Sequence, residues 1–334
     1  SNVNATDPQV NQAVLFIERE MDASNGFDWG FRVESGFGTD LLWAQSWNDQ
    51  SFDWNAGKGD YNWALSALYA TVGYKNLSVK VGKFGTLMGY ESFQSTGKFF
   101  VSHAYQYGIE PLSTTGILAE YALGSNVTLL AGYSMGNDTW ENRFGDSQII
   151  GGVTADLTDK LSLSYMFNVG YEYDLTGNRA SMNRLPNGFG GEAGAKKERI
   201  DNYYQTFVVN YQLTDRLAYA LYSNYFQSEA KGYGHGKSYG VANYLTYKLS
   251  DKWEAGFRFE WMRDELRDGS EGADGQDYYE YTLGLKWSPL KHLTVLGEVR
   301  YDQAYKDSDG NNNIFDGGRH AEQFGGGISA IISF

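Results

Sequence analysis

Apolar and polar residues alternate one by one along most of this chain. Trp253, Ala255, Phe257, Phe259 and Trp261 fall on one face of an extended strand, and Glu254, Gly256, Arg258 and Glu260 fall on the other. The same test separates Tyr279, Tyr281, Leu283, Leu285 and Trp287 from Glu280, Thr282, Gly284 and Lys286. It also separates Leu293, Val295, Gly297, Val299 and Tyr301 from Thr294, Leu296, Glu298 and Arg300. Read this way, the chain predicts fifteen strands, near residues 10–20, 27–37, 63–74, 76–84, 114–123, 126–136, 146–157, 160–173, 201–213, 216–228, 238–249, 252–263, 277–288, 291–303 and 321–334.

A soluble β-sandwich alternates too, so period two alone does not decide the class. Here the apolar rows stay uncharged over the ~10 residues of a membrane strand and end in aromatics, while the polar rows carry both signs of charge. That is the pattern of a sheet with lipid on one face and water on the other. The connections point the same way. Leu157–Lys160, Leu213–Arg216 and Leu249–Lys252 repeat Leu-Ser/Thr-Asp-Lys/Arg between strands, a tight turn of residues that bond their own backbone. Between the tight turns lie long polar connections at 40–62, 85–113, 137–145, 174–200, 228–237, 264–276 and 303–319. Short turns at one end and long loops at the other imply an all-β fold, a transmembrane antiparallel β-barrel with periplasmic turns and external loops.

The tight turns pair the third strand with the fourth, the fifth with the sixth, and so on. The first strand read then descends from outside, and an even, closed barrel needs one more strand ahead of it. The expectation is about sixteen strands in a single barrel domain over residues 1–334, the first strand lying outside this sequence. A split or merged strand would give fourteen instead. Closure leaves no unpaired sheet edge in lipid, and the terminal Phe334 continues the apolar row Phe324, Ile328, Ala330 and Ile332.

Composition narrows the partners. Aromatics make up 16% of 334 residues, and 41 Gly against 4 Pro suits many strands and little helix. The net charge of −14 argues against a nucleic-acid partner, since a phosphate backbone calls for a basic face. No Cys is present, as in an exported protein without disulfides. No run of about 18 apolar residues offers a membrane helix. No charged and apolar leader opens the chain, so any export signal is expected to have been removed.

Several stretches carry a resemblance: "LSVKVGKFGTLMGYESF" from Leu77, "FFVSHAYQYGIEPLSTTGILAEY" from Phe99, "YGVANYLTYKLSDKWEAGFRFEWMRDE" from Tyr239 and "YYEYTLGLKWSPLKHLTVLGEVRYD" from Tyr278. In pattern and phrasing these resemble the OmpL-like β-barrel porins. The resemblance implies an outer-membrane diffusion channel for small hydrophilic solutes and ions, held in outer-membrane lipid, with a strand ahead of the "NQAVLFIERE" segment. By analogy with porins of this size it implies a homotrimer.

Residues 85–113 would then be the third external loop, which commonly folds into the pore of sixteen-stranded porins. The loop is rich in Met88, Tyr90, Phe93, Phe99, Phe100, Val101, Tyr105, Tyr107 and Ile109, which need something to pack on, and its titratable residues are Glu91, Lys98, His103 and Glu110. Either it folds inward as a constriction or it caps the outer mouth. Across from it the polar rows offer Arg32, Glu34, Lys80, Lys83, Arg258, Glu260, Glu298 and Arg300. Such charges set ion selectivity when they line a pore, and otherwise pair to stiffen the wall. On the inner rows Arg32, Lys80, Arg258, Lys286 and Arg300 nearly balance Glu34, Glu254, Glu260, Glu280 and Glu298, so most of the net charge belongs to the external loops and a weak cation preference at most is expected.

Other chemistry is thin. Asp307, Asp309, Asn311 and Asn313 alternate like the start of a calcium loop, but its twelfth position is Gly318 where a bidentate Glu would stand, which favours a solvated turn. His103, His235, His292 and His320 show no metal-ligand spacing, and Ser102 beside His103 would point to the opposite face of a strand. Neither an enzyme nor a cofactor is expected. The competing class is a structural barrel, a sheath or surface-layer anchor holding a partner in a plugged lumen.

Overall fold

The computed structural model describes residues 8–46, 53–55, 61–141, 145–174, 198–230, 234–265, 275–306 and 313–334. In chain order the strands are β1 (Ala13–Arg19), β2 (Phe27–Gly38), the two-residue β3 (Trp54–Asn55), β4 (Asn62–Tyr74), β5 (Leu77–Gly85), β6 (Ser113–Leu123), β7 (Val127–Asn137) and β8 (Ser147–Thr158). They continue as β9 (Leu161–Asp174), β10 (Glu198–Gln212), β11 (Leu217–Ala230), β12 (Gly234–Lys248), β13 (Trp253–Asp264), β14 (Gln276–Leu290), β15 (Leu293–Lys306) and β16 (Glu322–Ile332). Apart from β3, which pairs only with β4, these are the fifteen strands the alternation predicts, none split or merged.

Each long strand pairs with its neighbours in sequence along one sheet, and the paired strands are antiparallel. The repeated tetrapeptide explains the tight turns. The Thr158 hydroxyl accepts from Lys160 N–H (3.2 Å), Thr214 from Arg216 and Leu217 N–H (3.2 and 3.0 Å), and Ser250 from Lys252 N–H (3.3 Å). In each repeat the side chain two residues back satisfies a turn amide that has no ladder partner.

The alternation becomes an outside and an inside. Phe257 on the outer row of β13 is 38% exposed, whereas its neighbour Arg258 is 0% exposed. The outer aromatics form two bands. Tyr203 and Tyr211, Tyr239 and Tyr247, Trp253 and Trp261, and Tyr279 and Trp287 each stand eight residues apart on one strand. That is about 26 Å along the strand, on the scale of a barrel's apolar belt between its aromatic girdles. Neighbours touch around the bands, as Trp253 does Trp287 (5.5 Å) and Tyr225 does Tyr239 (6.2 Å).

With fifteen long antiparallel strands, β1 and β16 run the same way, and among the described residues no ladder joins them. Their side chains are open, with Leu15 72%, Phe16 52% and Ile328 84% exposed. The strand expected ahead of β1 has no counterpart among the described residues. The core lies inside the sheet, where residues 86–112 pack against the inner rows.

Candidate functional site

Residues 86–112 leave the wall between β5 and β6. Their neck is closed by Thr86 N–H bonding Leu112 C=O (3.0 Å), and Asp138 Oδ1 at the end of β7 accepts from Leu112 and Ser113 N–H (3.0 and 2.7 Å). The apolar residues that needed a surface find one on the inner rows. Met88 and Ile109 join Met166, Tyr204 and Phe226 in one buried cluster, and Phe100 joins Val208, Ala220, Tyr222, Ala242 and Tyr244 in another. Two glycines make room. A Cβ at Gly256 would lie 2.2 Å from the ring of Phe99, and one at Gly284 would lie 2.8 Å from that of Phe100. The inner row of a strand tolerates glycine where another side chain must approach the backbone.

A segment with no ladder partner must satisfy its amides some other way. Wall carboxylates take them in consecutive pairs. Glu298 on β15 accepts from Val101 and Ser102 N–H (2.8 and 3.0 Å). Glu260 on β13 accepts from Tyr105 and Gln106 N–H (2.5 and 2.8 Å). Two arginines hold the carbonyl side. Arg258 bonds Ser102 C=O (2.9 Å) while pairing with Glu280 (2.8 Å), and Arg300 bonds His103 C=O (2.6 Å) while pairing with Asp302 (2.7 Å). Tyr105 closes the group with its hydroxyl on Asp302 (2.8 Å) and its ring under Arg300 (4.9 Å).

Glu91 is the hub within the loop. It accepts from Arg258 Nη1 (2.8 Å), Tyr244 O–H (2.9 Å), His103 Nδ1 (2.7 Å) and Ala104 N–H (3.1 Å). Burial alone would push its carboxyl up, but Arg258 and His103 outweigh it, and the group stays charged well below the usual carboxylate range. Burial also lowers His103 against the pull of Glu91. The neutral imidazole therefore donates from Nδ1 to Glu91 and lies flat on Tyr107 (3.6 Å). Glu110 has the opposite setting: burial pushes it up to about 8, only partly offset by the Tyr222 hydroxyl that donates to it. Lys98 is lowered by burial, with Asp40 at 3.8 Å working against that shift.

Arg32 and Glu34 pair with each other on β2 (2.5 Å); Arg32 also reaches Glu18 (2.6 Å), and Glu34 takes the amide of Gln94 in the loop (2.6 Å). Lys80 pairs with Glu120 on β6 (3.7 Å). Of the twelve titratable residues singled out from the sequence, the structure brings Glu91, His103, Arg258, Glu260, Glu298 and Arg300 into one contiguous network. Arg258, Glu260, Glu298 and Arg300 were expected on the wall across from the loop; they bond it directly.

Lys83 departs furthest from expectation. It stands three residues from Lys80, so period two cannot put both on one inner row. It is 1% exposed, with its ammonium on Ser46 Oγ (2.6 Å) and 4.6 Å from the ring centre of Trp140. The 40–46 connection and the residues after β7 therefore sequester it. Sequence reading missed Gln94, Tyr222, Tyr244, Asp302 and Asp138, which hold the loop but look like ordinary strand or turn residues. The inner-row glycines were the available signal. Asp307, Asp309 and Asn311 lie outside the described residues, as does most of the acidic 264–277 connection.

The loop leaves space on both sides. A cavity of ≈ 440 Å³ lies between it and β2 and β4, lined by Arg32, Glu34, Tyr69, Glu91 and Gln94 among others. A second, of ≈ 650 Å³, runs from Tyr90 and Tyr244 to the turns at Ser125–Asn126 and Asp159–Lys160.

An antiparallel sheet with two outer aromatic bands, tight turns at one end and a long connection folded onto its polar inner face defines a porin-type outer-membrane β-barrel. The family model described as "Putative beta-barrel porin-2, OmpL-like" matches residues 1–334, and the chain belongs to that family of the bacterial outer membrane. Solved structures agree in fold. The anion-selective porin from Comamonas acidovorans shares 12% identity at a TM-score of 0.62, over 97% of this chain and 89% of that one. The trimer form of OmpT of Vibrio cholerae shares 12% at 0.59, over 97% and 99%. The outer membrane channel DcaP of Acinetobacter baumannii shares 12% at 0.54, over 97% and 85%. No curated protein matches the chain by sequence. The family is one of channels, not enzymes.

Proposed function

We propose that this barrel is a water-filled channel for passive diffusion of small hydrophilic solutes and ions, with residues 86–112 as its constriction. The observation that carries the reading is the space left beside a loop that is held inside the wall on both sides, at β13–β15 and, through Gln12 and Glu34, at β1–β2. Carboxylates and arginines of β13–β15 hold it by its backbone, and the ≈ 440 Å³ space against β2 and β4 stays open beside it. The inner charges that remain next to water come as pairs, Arg32 with Glu34, Lys80 with Glu120 and Lys286 with Glu254. Paired signs support little selectivity, a weak cation preference at most. The barrel works as a homotrimer in this reading, its outer aromatic wall serving both lipid and subunit contacts.

Single-channel recording of the purified full-length protein in a planar bilayer tests it. Stepwise ohmic conductance of the order of a nanosiemens in molar salt is the expected result for an open pore. Silence from a folded, heat-modifiable protein would reject the channel and leave a barrel plugged by its own loop, the sheath or anchor reading. A strongly anion-selective reversal potential would reject the charge argument alone. Crosslinking in native membranes that yields only monomer would reject the trimer.

A further inference from the structure

We propose that the turn-side vestibule beneath the loop carries a subsite for uncharged, polyhydroxylated solutes such as short oligosaccharides, built on the ring of Tyr90. The inference rests on the channel reading and names a substrate class for it.

Tyr90 is the large loop aromatic that stays open. It is 37% exposed, whereas Phe100 and Tyr107 are 4% and 6% exposed. One side of its ring rests on Tyr244, with centroids 4.5 Å apart. Tyr244 is itself buried and fixed by its hydroxyl on Glu91 (2.9 Å), the residue next to Tyr90 and the hub of the loop. The exposed ring is therefore held in place before any ligand arrives, which removes much of the ordering cost of binding.

The ring opens on the ≈ 650 Å³ cavity, within the roughly 300–1,000 Å³ of small-molecule sites. The cavity wall between Tyr90 and the turns presents Ser162, Asn210 and Thr246, hydroxyls and an amide that can both donate and accept. The charged residues lining it are Asp156, Asp159 and Lys160, at its turn end. A sugar matches this arrangement: its C–H face covers an aromatic ring and its edge hydroxyls meet neutral polar groups. An ion would shed hydration against the neutral wall of Ser162, Asn210 and Thr246, which offers it no opposite charge. The charged pair Lys80–Glu120 lies on other strands and does not line this cavity.

Calorimetric titration of the full chain, folded in a detergent without a sugar headgroup, with maltotriose and separately with gluconate reads the subsite without needing conduction. The expected result is saturable binding of maltotriose and none of gluconate. Tyr90→Ala should weaken binding by roughly tenfold or more, and Tyr90→Phe should keep it, because the ring and not the hydroxyl makes the surface. Asn210→Asp, which leaves the loop untouched, should weaken it as well by placing a charge on the neutral wall. No binding of maltotriose, equal binding of gluconate, or an unchanged affinity in a folded Tyr90→Ala protein would each overturn the subsite. Conductance decides the channel reading separately: a silent barrel that binds maltotriose rejects the channel and keeps the subsite, and a conducting barrel without binding does the reverse.

Discussion

Removing Glu91 is the sharpest test of how the loop is held. Glu91→Ala takes one acceptor from four donors at once: Arg258 Nη1, Tyr244 O–H, His103 Nδ1 and Ala104 N–H. Arg258 keeps Glu280 at 2.8 Å, so its buried charge is not wholly orphaned. Breaking one partner from a buried ion pair costs about 3–5 kcal/mol, and each neutral donor left buried without a partner adds about 1–3. Water from the adjoining ≈ 440 Å³ cavity can reach the vacated place and recover part of this. The lower end, about 3 kcal/mol, is then the working figure, a factor of about 100 in the ratio of attached to detached loop. In a planar bilayer the variant should show larger mean conductance and stronger open-channel noise than the wild type, and a lower melting temperature. Glu91→Gln, which retains one acceptor oxygen, should fall between. Glu91 is held below its ordinary value of 4.5, so its contribution is present above that value and lost only as pH falls through the lower folded value. Wild-type noise should therefore stay flat from neutral pH down to about pH 5. A folded Glu91→Ala protein with wild-type conductance, noise and melting would refute the argument.

A Cβ at position 327 would lie 3.6 Å from that of Val101, within disulfide range, and the chain has no other Cys to interfere. Val101→Cys with Gly327→Cys should therefore oxidise spontaneously and leave conductance nearly unchanged, whereas failure to form the bond on gels would place the loop tip elsewhere. Gly256→Ala puts a methyl 2.2 Å from Phe99 and should lower thermal stability by about 1–3 kcal/mol, read as a loss of melting temperature; a neutral result would mean that the ring moves freely. Glu110, pushed up to about 8 from 4.5, stays protonated in the fold where the unfolded chain would ionise, so it lowers stability as pH rises between those values. Glu110→Gln should flatten the pH dependence of melting over that window, and an unchanged slope would show that Glu110 is not its source.

The barrel itself was legible because period two is a backbone property that every strand repeats. In a membrane barrel each face has one solvent, so the pattern is not blurred by partial burial. Even the turns could be read, since Thr158, Thr214 and Ser250 act through amides two or three positions away. The loop's composition showed that it needed a surface, because residues such as Phe100 and Ile109 cannot stay in water. Its partners were not legible: Glu298 bonds amides about two hundred positions earlier in the chain, and nothing local to either segment marks that pairing. Lys83 shows the other limit. The odd interval from Lys80 puts it off that residue's row, and Gly82, at φ 130°, stands beside it where regular strand geometry is already interrupted.

The inner carboxylates carry a lesson about charge in a porous barrel. A charge on an inner row reads naturally as a filter for ions, and a selectivity estimate would count it. Glu260 and Glu298 instead each hold two consecutive backbone amides, work that a neutral side chain with one carbonyl oxygen does less well. Arg258 and Arg300 hold the carbonyls between them. A loop that must lie against a wall without joining its ladder needs donors and acceptors of both signs in alternation, and β13–β15 supply that series. These charges then act on permeation through the position of the loop and only weakly through their own fields: Arg258 and Arg300 each have a carboxylate within 3 Å, Glu280 and Asp302, and Glu260 and Glu298 are each taken up by two backbone amides. Neutralising one of them should accordingly change conductance and noise before it changes the reversal potential. A variant such as Glu298→Gln that shifts the reversal potential while leaving noise untouched would return that carboxylate to the role of a filter.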